Sequence, residues 1–317
     1  MKSLSPAFSP RDMAAAFGVV LIWGLNFVAM KYALRDFTPF QLGLLRYVFA
    51  VVPLVFLVRA PALSWKWLLA AGLMQLGQFG LLFVALRLGM TAALASVLMQ
   101  VQVFFTALLG IALLHENLNK LQKIGLTLAA IGLSCFGLNF MTPASTGGIT
   151  LLSLMLNLGA ALMWAASNIV TRQAQHRQPG YDALQFVVWM SLVPILPFAF
   201  MAWYFEPVAT RWNWLHASTG AWLGVAYLGW FATIAAYALW TWLLKRHPAN
   251  RVAPFSLGVP VIGLAAGMLL LNESITRWQW AGSSFVFAAL AAVVLGPRLL
   301  RHNKSRTAQV ATTQPRP

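Results

Sequence analysis

Apolar runs of about 20 residues follow one another along nearly the whole of this 317-residue chain, separated by short polar breaks. They fall at roughly 13–33, 40–58, 67–87, 92–113, 121–140, 149–170, 182–204, 219–243, 250–271 and 278–297. Each is long enough for an α-helix to cross the hydrocarbon core of a bilayer. The runs are continuously apolar and lack the alternation of a membrane-spanning strand, which excludes a β-barrel. The pattern therefore predicts an all-α polytopic membrane protein of ten transmembrane helices.

The pattern also repeats. Trp23, Lys31 and Pro53 recur as Trp164, Arg172 and Pro194, at a shift of 141. Ala92, Gly110, Glu116, Gln122 and Gly125 recur as Ala249, Gly267, Glu273, Gln279 and Gly282, at a shift of 157. A longer loop, Glu206 to Ser218, separates the two shifts; its Trp212 and Trp214 suit a segment lying along the membrane surface. Each copy holds five spans, and an odd number forces the copies to enter the membrane from opposite sides. Inverted repeats of this kind recur in secondary transporters, with the substrate site between the halves near the midplane. The predicted organisation is an N-terminal segment (1–12), a first repeat (13–140), a turn-rich connector (141–148), a second repeat (149–297) and a basic, polar, disordered tail (298–317).

Composition fits only that class. The chain is 60% hydrophobic and 9% charged, with a mean hydropathy of +0.73. Its net charge of +16 invites a nucleic-acid reading, but the basic residues are segregated by side. Lys31, Arg35, Arg87, Arg211 and Arg277 lie at one end of the spans, Arg46 lies within one, and every other Lys and Arg falls at the opposite end or in the terminal segments. The positive-inside rule then predicts cytoplasmic N- and C-termini and an external connector, so the charge sets topology and touches lipid rather than nucleic acid. Residues 1–10 lack the apolar core of a signal peptide, and the first span is expected to act as an uncleaved insertion signal. Cys135 is the single cysteine, which excludes an intrachain disulfide and thiolate metal clusters.

Enzyme chemistry lacks its parts. The histidines at 115, 176, 216, 247 and 302 fall in loops or at span ends, with no HExxH, paired intramembrane Asp or phosphate-cradling glycine loop. No metal or cofactor is implied, and transport driven by ATP on this chain alone is excluded. Charge inside the spans reduces to Arg46, in LLRYVFA. It is predicted either to snorkel to the nearby interface or to face a central cavity and attract a substrate carboxylate. No Asp or Glu falls in mid-span, which disfavours conventional proton antiport and a strongly cationic substrate.

The uncharged polar positions are Asn26, one turn from Trp23; Gln75 and Gln78, on one face with Phe79; Gln100 and Gln102; Trp164 with Asn168; and Tyr237 with Trp240. Each amide either bonds a neighbouring helix or lines a cavity. Of the pair two apart, one is expected to line it, and Gln100 is assigned. Together Asn26, Arg46, Gln75, Gln78, Gln100, Trp164, Asn168 and Tyr237 describe a site of amides and aromatic rings, suited to small zwitterionic or neutral polar metabolites. Pro53, Pro194, Pro254 and Pro260 are candidate kinks, the first two matched between repeats. Glu116 and Glu273 close a span just before Asn119/Gln122 and Thr276/Gln279, whose spacing fits a capping box; a structural role at that corner is expected, against a proton-coupling one.

At these residues the chain resembles the ten-helix branch of the drug/metabolite transporter superfamily, with two EamA-type repeats. The resemblance is carried by WGLNFVAMK, LLRYVFA, ALASVLMQVQVFFTALLG with HENLNKLQKIG, and RVAPFSLGVPVIGLAAGMLLLNESITRWQWAG, and spans roughly 13–297. Asn117 and Ser274 stand where the family often has Arg after the corner Glu, so a local ion pair is not expected there. The resemblance implies secondary-active export, by alternating access in the cell inner membrane, of amino-acid-like metabolites of the O-acetylserine and cysteine type. Efflux of drugs or nucleotide-related compounds is the alternative cargo, and a non-transporting receptor or scaffold the alternative class. The oligomeric state is left open and is compatible with a monomer.

Overall fold

The computed structural model describes residues 8–52, 54–141, 149–178, 180–247 and 249–296. Pro53, the tail 298–317 and, apart from Met141, the connector lie outside the described residues. Among those described there is no strand. Ten helices run in chain order: α1 (Pro10–Ala33), α2 (Pro39–Leu57), α3 (Trp65–Arg87), α4 (Ala92–Leu114), α5 (Lys120–Leu138), α6 (Leu151–Arg177), α7 (Ala183–Tyr204), α8 (Thr219–Arg246), α9 (Ala253–Leu271) and α10 (Arg277–Val294).

Nine of the helices in the described residues, α1 to α9, are long and apolar enough to cross a membrane. The tenth is 18 residues long and opens Arg-Trp-Gln-Trp. That polar first turn lowers its apolar content below theirs, so length and composition by themselves show nine crossings among the described residues. α6 runs seven residues past its expected end, because Arg172, Gln173 and Gln175 extend the helix in polar sequence.

Local chemistry fixes the ends. Ser9 with Asp12, Thr38 with Gln41, Asn119 with Gln122, Thr150 with Ser153 and Thr276 with Gln279 form reciprocal N-terminal caps. The repeated corners before α5 and α10 close in the same way: His115 and Asn272, matched positions, both adopt the left-handed conformation with φ 53°. α2 is interrupted at Val52, which is extended, and four further helices depart from α geometry among the described residues. α4 passes through a 3-10 turn at Met99–Val101, α7 breaks between Met190 and Ile195 around Pro194, α8 contains a π segment at Tyr227–Ala235, and α9 opens with a 3-10 turn at Ala253–Leu257 holding Pro254.

The packing exchanges onto itself when each helix is replaced by the one five further on. α1 packs on α8 and α9, as α6 does on α3 and α4; α2 meets α8 as α7 meets α3; α2·α7, α4·α9 and α5·α10 pair across the halves. One large core joins both halves, with Phe37, Tyr47, Phe83 and Phe198 fully buried in it. The outer surface is apolar as well: Leu196 and Leu269 are each 78% exposed, which suits lipid rather than water.

Candidate functional site

Arg46 lies two turns into α2, and the bundle closes around it. The side chain is 4% exposed, so it does not snorkel. One guanidinium nitrogen donates to Asn26 Oδ1 on α1 at 3.5 Å, another donates to Thr233 Oγ1 on α8 at 3.2 Å, and the plane rests on the Phe79 ring of α3 at 3.9 Å. Its Nε has no partner. All of these neighbours are neutral. A buried cation held by dipoles and a ring face, without a carboxylate, keeps a large unspent attraction for an anion.

The π segment of α8 supplies part of this geometry. Its altered hydrogen-bond register lets Thr233 donate to Leu228 O at 2.8 Å, leaving the hydroxyl oxygen to accept from Arg46. The Ala232 carbonyl accepts from Trp23 Nε1 at 3.0 Å, and the Trp23 ring packs edge-on against Tyr237 at 5.4 Å. Next to Arg46, the fully buried Tyr47 donates to Gln75 Oε1 at 3.1 Å and stacks on Phe198 of α7. Gln78 is buried with its Oε1 unpartnered.

Asn26, Arg46, Gln75, Gln78 and Tyr237 thus belong to one neighbourhood, joined by Trp23, Tyr47, Phe79 and Thr233. The other assigned residues gather elsewhere. Asn168 on α6 donates to Gln102 Oε1 at 2.8 Å, and Thr106 donates to the same oxygen at 3.4 Å. Gln100 is buried in the 3-10 turn of α4, so the amide that meets Asn168 is Gln102, not Gln100. Trp164 packs against the main core. Of the candidate kinks, Pro260 is buried inside α9 and its carbonyl lies 3.4 Å from Ser96 Oγ.

The repeated glutamates have unequal partners. Glu273 accepts from the backbone N–H groups of Ala92 and Ala93, at 2.8 Å each. It therefore caps α4, from the other half, rather than its own following helix. Glu116 forms a two-pronged ion pair with Arg172 at the end of α6; the sequence predicts no local pair there, and this one comes from a distant helix. Both carboxylates press on a matched glycine. A Cβ on Gly110 would lie 2.8 Å from Glu116 Oε2, and one on Gly267 would lie 2.6 Å from Glu273 Oε2.

The seam between α4 and α9 is closed beside Glu273. Every residue from Ala92 to Val101 is buried. Gly263 and Gly267 let α9 approach so closely that added Cβ atoms would collide with Ser96 and Ala93. Beyond the 3-10 turn, Gln102–Leu114 packs on α6 instead, while Ala253–Leu257 of α9 turns to α10 and α1.

Residues 12–138 and 151–295 each match the EamA-like transporter family. A relative from Salmonella typhimurium, named a probable amino-acid metabolite efflux pump, is 38% identical over 92% of this chain and 98% of its own length. A protein of the same name from Escherichia coli is 37% identical over 92% and 97%. An uncharacterised transporter of Archaeoglobus fulgidus shares 26% over 87% and 95%. A solved crystal structure, 18% identical, superimposes with a TM-score of 0.60 over 92% of this chain and 99% of that one, which speaks for the fold. The chain belongs to the EamA-like transporter family and is a multi-pass membrane transporter, not an enzyme.

Proposed function

We propose that this protein exports small amino-acid-like metabolites, of the O-acetylserine and cysteine type, across the cell inner membrane by alternating access. In this reading ten helices form two inverted five-helix repeats with both termini in the cytoplasm, so the Glu273 end faces outward. The segregation of Lys and Arg supports that orientation, and the exchange of packing partners at a step of five helices supports the paired halves.

The observation that carries the cargo assignment is the burial of Arg46 among neutral groups. A substrate carboxylate on Arg46 would replace the weak 3.5 Å contact with Asn26 by a charge-assisted pair. The free Gln78 Oε1 and the rings of Phe79, Tyr237 and Trp23 offer an acceptor and π faces to an ammonium group. Asn26, Gln75, Gln100, Trp164 and Asn168 complete the proposed lining, with Pro194, Pro254 and Pro260 as bending points and Pro53 assigned from sequence alone. The seam closed at one end of α4 and parted at the other supports a state open toward the cytoplasm.

The test is counterflow in proteoliposomes loaded with unlabelled O-acetylserine, with uptake of labelled cysteine and of a lipophilic dye measured in parallel. Accumulation of the amino acid and not the dye is expected, with at least a tenfold loss in Arg46→Ala at equal folded protein, the order of one charge-assisted bond. Wild-type rates in that variant would refute the carboxylate assignment, and accumulation of the dye alone would refute the cargo class.

A further inference from the structure

A cavity of about 360 Å³ opens at the Glu273 end, between the ends of α1 and α3 and the α9–α10 corner. Three cations line it: Lys31 in the last turn of α1, Arg35 just beyond, and Arg87 closing α3. The sequence places only two other basic residues at this end, Arg211 and Arg277. Three of the few cations tolerated there therefore converge on one space.

Their bonds within the protein leave most donors unspent. Lys31 Nζ donates to Leu86 O at 3.0 Å, and Arg87 donates to Leu34 O at 2.9 Å. The Arg35 guanidinium lies over the Tyr32 ring at 4.3 Å. An ammonium has three N–H donors and a guanidinium five.

The nearby carboxylates are committed elsewhere. Glu273 lines the cavity but gives both oxygens to the backbone of α4, and Asp36 is bonded to Ser218. Among the described residues no carboxylate oxygen lies within ion-pair distance of Lys31, Arg35 or Arg87. The opposite end shows the contrast: Arg172, which matches Lys31, is paired with Glu116, which matches Glu273. Glu273 and Asp36 still draw on Lys31 and Arg35, but three cations against the one carboxylate of the lining leave the cavity net positive; like charges so gathered repel one another, and a bound anion relieves that repulsion.

We propose that this cavity is an oxyanion site that takes a phosphate-class group, with Arg35 and Arg87 giving forked hydrogen bonds and Lys31 acting as a point charge. The group is either the headgroup of an anionic lipid, which the site meets at the level of the helix ends, or a soluble phosphate. The assignment does not depend on Arg46 or on the exported cargo.

The experiment uses the purified full-length chain in detergent. Native mass spectrometry and thermal unfolding are recorded during titration with phosphatidylglycerol, phosphatidylcholine and inorganic phosphate. Phosphatidylglycerol is expected to bind about tenfold more tightly than phosphatidylcholine, the scale of one charge-assisted hydrogen bond. Arg35→Gln should abolish that preference and Arg277→Gln should leave it intact. Competition by inorganic phosphate would identify a soluble oxyanion as ligand; its failure to compete would identify the lipid headgroup.

Arg35→Gln is the decisive variant because its side chain rests on a ring and holds no carbonyl, so loss of binding is not loss of fold. Equal affinity for the two lipids with no effect of phosphate, or a preference untouched by Arg35→Gln, overturns the proposal.

Discussion

Arg46 shows how one charge is made tolerable inside a bilayer without an opposite charge. Asn26 and Thr233 accept from it and Phe79 lies beneath it; each contact is weak, and the hydroxyl is the shorter of the two hydrogen bonds. Thr233→Val keeps the volume and removes the acceptor, leaving a buried charged donor unmet. Loss of about 1–3 kcal/mol is expected, read as a lower unfolding midpoint in detergent, and an unchanged midpoint would mean that water or Asn26 takes over. Arg46, Asn26 and Gln78 were legible in the sequence because a polar side chain stands out against an apolar run. Thr233 was not, since threonine is ordinary in a membrane helix and its position depends on the π segment. That Gln102 is the amide meeting Asn168 was not legible for a related reason: the 3-10 turn at Met99–Val101 rotates the rest of α4 out of the α period.

At the scale of the element, helix ends are held by other helices. Glu273 puts a full negative charge on the first turn of α4, where the helix dipole favours it. Glu273→Gln should weaken that end by about 0.5–2 kcal/mol. Gly267→Ala should disturb the same end, since its Cβ would sit 2.6 Å from Oε2 and 2.7 Å from the Ala93 backbone nitrogen. Hydrogen exchange at Ala92 and Ala93 reads both; protection unaltered in either variant would contradict the capping role.

The loop Glu206 to Ser218 is similarly tied. Glu206 accepts from Phe40 N–H at 3.1 Å, Gln41 donates to Thr210 O at 2.7 Å, and Ser218 donates to Asp36 through N–H and hydroxyl at 2.8 and 2.5 Å. Trp212 and Trp214 were legible as an interfacial pair, but the long-range bonds that clamp the loop over the start of α2 leave no periodic trace. The Ser218 hydroxyl and then its N–H hold the Asp36 carboxyl below its ordinary value of 3.8. A lowered folded pKa means stability that is present above the ordinary value and lost as pH falls through the lowered one. Acid should therefore loosen this loop below about pH 3.8, and Asp36→Asn should loosen it at neutral pH. Quenching of tryptophan fluorescence is the readout, and identical profiles for the two proteins would discard the tether.

For the whole molecule, the repeat was legible as two shifts in residue number, and the packing that exchanges onto itself at a step of five helices has the same origin. What those shifts do not reveal is that matched parts stand in different states. Glu273 clamps α4 while Glu116 holds Arg172, and the α4–α9 seam is shut beside the first and parted beside the second. Exchange of these arrangements between the two halves is the alternating access proposed above, in which the asymmetry belongs to the conformation rather than to the composition. This leads to a test by access. Cys135 is buried and is the one native thiol, so Cys135→Ser gives a clean background for single Ser96→Cys and Thr106→Cys reporters on either side of the 3-10 turn. Ser96 is fully buried and Thr106 lines a space of about 130 Å³ beside Glu116 and Arg172. A water-soluble maleimide should label the Thr106 position rapidly and the Ser96 position at least tenfold more slowly, the ratio set by a gap of about 1.4 kcal/mol between closed and open seam. Adding Glu273→Gln should raise labelling at Ser96 and lower it at Thr106, because freeing one end shifts the population toward the state parted there. Parallel changes at both positions would mean that the variant merely loosens the bundle, and the exchange between two closed seams would have to be given up.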